Sequence, residues 1–255
     1  MYSVSSIKRV WLVAMAYWVI VSALVCWLYP VMVYDPTARY APMADAFAHG
    51  DWFFAYHPRF GVLFTTLAGC VAYLTGFRGD HACQIVSIGF LAFSVIPVWM
   101  LVKRVWQDER VAWIAAALLL LATEYFVYAE DGLRDTARIF GLACCALSFV
   151  SLKPVPLALG LFSLVTLRTD LFVISAVILF AWWSYLLVLR FRPHPFSSLT
   201  YPSSFLLTPS SFILPISSFL LGAFLMCLMT HSFTGLWLPG AQFVKYYLKL
   251  TGGSL

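Results

Sequence analysis

The sequence predicts an all-α polytopic membrane protein with about seven transmembrane helices, plus juxtamembrane helices in its first external loop. Three observations predict it. Of 255 residues, 62% are hydrophobic and 11% charged, where soluble domains carry about 25% charged residues. Uncharged runs near the twenty or so residues that a helix needs to cross a bilayer recur along the chain. The basic residues gather in small groups between those runs. With this composition the formal charge of +5 bears on membrane sidedness, and no nucleic-acid partner is expected.

The first run, Val10–Val33, holds 24 residues without a charge. It is too long for the apolar core of a signal peptide and no small-residue cleavage site follows it, so it is read as a retained span. Further runs are Phe60–Phe77, Ala82–Val102, Val111–Ala129, Thr136–Leu152, Pro154–Leu167, Leu171–Leu189 and, roughly, Phe205–Thr230. The second run decides the topology. If it crosses, Lys103 and Arg104 fall opposite Lys8 and Arg9. If it lies in the interface, Lys8/Arg9, Lys103/Arg104/Arg110, Lys153 and Arg190/Arg192 share one side. The positive-inside rule prefers the second arrangement, with the N-terminus cytoplasmic. Nine of the eleven acids, all but Asp108 and Glu109, then face outward or lie near the outer boundary. Gly61, Gly69 and Gly76 with Thr65, Thr66 and Thr75 also suit an interfacial helix.

Three segments build the outer surface: the loop from Tyr34 to about His81, the connection Tyr128–Arg138, and the turn Arg168-Thr-Asp170. Pro154–Leu167 has only 14 residues, about 21 Å of helix, which sets Arg168 and Asp170 in the headgroup layer. Residues 1–192 form the transmembrane module. Residues 193–222 carry the near-repeats "PSSFLLT", "PSSFILP" and "ISSFLLG". Pro202, Pro209 and Pro215 each lack a backbone donor, so an uninterrupted helix is not expected there. The repeat is read as a low-complexity expansion without chemistry, the alternative being a recognition repeat. Residues 223–255 are a last apolar segment and a tail. The six cysteines, Cys26, Cys70, Cys83, Cys144, Cys145 and Cys227, lie in or at the edge of apolar runs with no C-x-x-C pair. They are read as small packing residues in helices.

In the first loop Asp35 stands at the membrane exit and Tyr40 follows. In "APMADAFAHGDW", Met43, Ala44, Phe47 and Ala48 make an apolar helical stripe, with Asp45 and His49 at i, i+4 on the other face. Gly50 stops this short helix in left-handed geometry. "HPRFGVLFTTL" then re-enters the interface.

Asp35, Tyr40, Ala44, Gly50, Asp51, His57 and Pro58 follow an order that resembles the first external loop of the GT-C class of polyprenyl-phosphate-sugar-dependent glycosyltransferases. The nearest likeness is to the dolichyl-phosphate-mannose–protein mannosyltransferase family and its bacterial relatives. "YAEDGLRDTARIFGLACCAL", with Asp135 as the acid opening a span, and "LVTLRTDLFVI" are similar to that family's later outer segments. The resemblance spans about residues 10–190 and matches only the N-terminal half of such proteins, which usually have several more spans. It implies transfer of a sugar from a polyprenyl-phosphate donor to a lipid, glycan or protein acceptor, with inversion, on the outer side of a bacterial inner (plasma) membrane. A shortened or inactive remnant of such an enzyme, and a transporter or lipid flippase, are the alternatives. No G-x-x-x-x-G-K-[ST], G-x-S-x-G or H-E-x-x-H occurs.

Such a transfer needs a base for the acceptor proton, cations against the leaving phosphate, and an apolar groove for the lipid. The resemblance implies Asp35 as the general base; a helix-end carboxylate solvated at the interface is the alternative. Asp135 orients the acceptor or a cation, unless Asp131, Arg134, Asp135 and Arg138 simply neutralise one another at a helix start. Arg168, a planar donor fork at headgroup depth, is the expected phosphate ligand, beside Arg39 and Arg134. An Arg168–Asp170 pair, and interfacial anchoring of Arg39, are the plain readings. Tyr40, Glu124, Asp131 and Asp170 are expected to line the site; Glu124 could instead pair with Arg134 or Arg138. A divalent metal cation is the one cofactor weighed, on Asp51 and His57 together with Asp45 and His49, against ordinary solvation of those side chains.

Overall fold

A computed structural model describes residues 4–28, 36–56, 61–168, 170–191, 209–234 and 237. Every element among them is helical. After α1 (Val4–Leu28) and a π-type turn (Pro36–Tyr40) come the short α2 (Ala41–Ala48), α3 (Trp52–Ala55) and α4 (Leu63–Thr75). The long α5 (Gly79–Trp106) leads to α6 (Glu109–Leu121) and α7 (Thr123–Glu130). Then follow α8 (Asp135–Ser151), α9 (Pro154–Leu167), α10 (Leu171–Phe191) and α11 (Pro209–Thr234).

The 28-residue α5 is the central post, against which α1, α2, α4, α6, α7 and α8 pack. Trp18 Nε1 of α1 donates to Ile85 O at 2.9 Å. At the far end of the same pair, Ser6 Oγ donates to Glu109 at 3.2 Å, and Glu109 receives Lys103 Nζ at 2.8 Å. The start of α1 therefore meets the end of α5, and Lys8/Arg9 share one end of the bundle with Lys103/Arg104. This is the arrangement expected if the Phe60–Phe77 run does not cross. Accordingly α4 is short. It buries Phe64, Thr65, Ala68, Gly69 and Ala72 and leaves Leu67, Tyr73 and Leu74 exposed, as a helix lying in an apolar boundary would.

Four helices are long and apolar enough to cross a membrane: Ser5–Leu28, Gly79–Trp106, Leu171–Leu189 and Pro209–Ser232. The pair α6–α7, bent by 50° at Ala122, makes a fifth if it is one span. The remaining two of the expected seven, α8 and α9, have 17 and 14 residues, about 26 and 21 Å of helix, and fall short by length. They pack on each other at a glycine contact. A Cβ on Gly160 would sit 2.6 Å from Cys145 Sγ and 2.6 Å from Gly141 O, the close backbone approach that small residues allow. Cys83, Cys144 and Cys145 are buried in these helix interfaces, as their expected packing role requires.

The proline expectation is overturned in part. Pro209 opens α11 and Pro215 lies inside it, yet the helix runs unbroken over 26 residues. At the first position the missing donor is one that no helix uses. Pro215 orphans the carbonyl of Ser211 four residues back, and Trp182 Nε1 of α10 donates to that oxygen at 3.3 Å. A neighbouring helix thus supplies the bond the proline cannot make. The heptad period returns Phe212 and Phe219 to one face, where both pack on the core. Pro202 lies outside the described residues.

Candidate functional site

The three segments expected on the outer surface meet at the end of the bundle opposite Lys8 and Lys103. Arg134 joins them. Its side chain, 7% exposed, holds the guanidinium carbon 5.4 Å from the centre of the Tyr40 ring. Its Nη1 donates to Leu167 O, at the end of α9, at 3.3 Å. Val62 N, just after the first loop, donates to Thr166 O at 2.8 Å. Gly61, at φ +79°, lies flat on the same two carbonyls, where a Cβ would collide with Thr166 and Leu167 O. The carbonyl end of α9 is therefore capped by an arginine from one segment and a backbone amide from another, and its dipole favours the cation.

The connection before Arg134 is built to hold it. α7 ends in a Schellman motif: Leu133 N donates to Tyr128 O, and Gly132 N to Ala129 O, with Gly132 at φ +70°. Gly132 presses on Cys83 and Gln84 of α5, at 3.1 Å for a built Cβ. Inside α5, Gln84 Nε2 donates to Glu130 O at 2.8 Å. Ser87 Oγ reaches Leu133 O at 2.5 Å and Thr136 Oγ1 at 2.9 Å. These two buried polar residues, one turn apart in an apolar run, were not singled out from the sequence. Their spacing in "CQIVS" was the available signal.

Of the expected phosphate ligands, Arg168 is partly exposed and donates through Nε to Asp170 at 2.7 Å, the plain pair foreseen for it. Arg134 is held by a ring and a carbonyl. Burial pulls its guanidinium down from its ordinary value and nearby Arg168 adds to this, while Tyr40, Asp135 and Asp170 act the other way. Arg39 is half-buried in the turn before α2. Asp135 opens α8 and pairs with Arg138 at 3.4 Å, part of the neutralising network considered for this helix start. Asp131 caps the end of α7, and burial raises its carboxyl above the usual range. Tyr40 is buried, edge-on to Phe64 at 5.8 Å.

Glu124 is exposed, in the first turn of α7 beyond the break at Ala122. In the first loop, Asp45 turns to α5, accepting from Gly79 N at 2.7 Å. His49 Nδ1 lies 2.7 Å from Asp45 O. Gly50 ends α2 at φ +80°, as its position predicted. Asp51 caps α3, accepting from Phe54 N at 3.3 Å. Asp35 and His57 lie outside the described residues. Among the described residues no group of three His, Cys, Asp or Glu side chains is placed to hold a metal ion.

Set against protein-family models, curated proteins and solved structures, the chain matches none of them. Its chemistry is therefore argued from the geometry alone. What that geometry offers is one end where Tyr40, Arg134, Asp135, Arg168 and Asp170 stand near one another, on elements far apart in sequence.

Proposed function

We propose that the chain is a membrane glycosyltransferase that moves a sugar from a polyprenyl-phosphate donor to an acceptor at the outer face of a bacterial plasma membrane, its N-terminus cytoplasmic. The observation that carries this reading is the meeting of Tyr40, Arg134 and Leu167. It joins the three segments on which the likeness to such enzymes rests, at the end away from the basic groups. Five residues of chain reach at most about 18 Å, so Asp35 belongs to the same end as Tyr40. In this reading Asp35 takes the acceptor proton. Arg168, whose Nε alone is engaged by Asp170 among the described residues, turns its remaining N–H groups to the leaving phosphate. Arg134 positions both, through the ring before α2 and the end of α9. With α8 and α9 crossing a locally thinned bilayer, the spans number seven.

The test is an Asp35→Asn variant in membranes given labelled polyprenyl-phosphate sugar. Transfer should fall about 100-fold or more. Undiminished transfer removes Asp35 from the chemistry. One observation favours a second reading, a transporter or lipid flippase: the 50° break in α6–α7 puts Glu124 at the start of a half-helix, a pattern of substrate pathways. Liposome uptake or scrambling with no glycosyl transfer would favour it. A chain that binds no polyprenyl phosphate would point instead to an inactive remnant.

A further inference from the structure

We propose that a groove between α1 and the first turns of α5 seats one tightly held glycerophospholipid, its ester carbonyl on Ser22 and its phosphate at His81. This does not rest on glycosyl transfer. The groove has a volume of about 630 Å³, with Trp18, Ser22 and Trp27 on one side and Phe77, His81 and Ile85 on the other. That is within the roughly 300–1,000 Å³ that encloses a small ligand. Its walls are apolar, as a lipid chain requires, and two polar features say what kind of lipid.

The first is Ser22. Ser94, Ser148, Thr166 and Thr230 each give their hydroxyl to the carbonyl four residues back. Ser22 is 8% exposed, and its Oγ is buried without a hydrogen-bond partner. A rotation about χ1 lets this hydroxyl donate to an acceptor in the groove. The second is His81. Gln84 gives its Nε2 to Glu130 O, so its Oε1 is the atom 2.9 Å from His81 Nδ1. The imidazole thus carries its proton on Nδ1 and leaves Nε2 for a ligand. Arg78, next to Phe77 of the wall, is 83% exposed on its pair with Asp80, and the α5 N-terminus adds its own positive pole. Trp18 bonds to Ile85, and Ser22 and His81 each lie one turn further toward the loop end, at similar depth. A glycerophospholipid carries an ester carbonyl and a phosphate as neighbours. A polyprenyl phosphate has no carbonyl.

The experiment is native mass spectrometry of the full chain, titrated with phosphatidylglycerol, its diether analogue and a polyprenyl phosphate. The diester should bind as a single copy, about fivefold tighter than the diether, and tighter than the polyprenyl phosphate. Ser22→Ala, which removes one oxygen, should erase the difference between diester and diether. Ala23→Trp, filling the groove, should abolish binding. Equal binding of diester and diether to the unaltered chain, a preference for the polyprenyl phosphate, or undiminished binding to Ala23→Trp would each overturn the proposal.

Discussion

Arg134 is a cation where few cations sit: buried, stacked on Tyr40 and bonded to the last carbonyl of α9. Hydrogen bonds from charged groups contribute about 1.5–3 kcal/mol, and a desolvated ring adds somewhat to that. Arg134→Ala should therefore lower unfolding stability in detergent by about 2–3 kcal/mol, measured by thermal or denaturant unfolding. Arg134→Lys should recover only part of it, since a point charge lacks the fork. Asp131 makes a different prediction. Its folded pKa is raised by burial, so its contribution is intact below the unfolded value of 3.8 and is lost as pH rises through the folded value. Asp131→Asn should raise Tm at neutral pH and leave it unchanged well below pH 3.8. The residue types at this site were legible, because charge in so apolar a chain has few uses. The partners were not. Arg134 was expected to face carboxylates or phosphate, yet it meets a carbonyl 33 residues away, which no local pattern announces.

At the scale of elements, α11 shows why a sound local rule failed. A proline inside a helix is costly only if the carbonyl it orphans stays unpaired, and Trp182 pairs it. Trp182→Phe should thus cost about 1–3 kcal/mol. In a Pro215→Ala background the alanine N–H satisfies Ser211 itself, so the same change should cost clearly less. A double-mutant cycle with no coupling would contradict the account. Gly160→Ala should likewise destabilise by about 1–3 kcal/mol, since the Gly141–Gly160 crossing leaves no room for a methyl group. The expected runs match α5, α8, α9 and α10 closely, because apolar length and the glycine or proline at their borders are local facts. The break at Ala122 was read through as one run. Thr123 and Glu124 are good helix-start residues, but the apolar residues on both sides hid them.

For the whole molecule, the charge distribution along the sequence carried the most information. Basic groups at one side and acids at the other predicted which loops would share an end. The Ser6–Glu109–Lys103 contact and the Arg134 junction are where that expectation meets the fold. The number of crossings was less legible, because α8 and α9 are short and are held by each other and by α5 and α11. The most direct measurement is labelling of single cysteines in intact cells with a membrane-impermeant thiol reagent. Asp51→Cys, Arg78→Cys and Asp170→Cys, all exposed positions, should react from outside. Lys8→Cys, Arg110→Cys and Lys153→Cys should react only after permeabilisation. Asp170 reacting on the opposite side from Asp51 and Arg78 would separate the loops that Arg134 is said to join, and the account would fail.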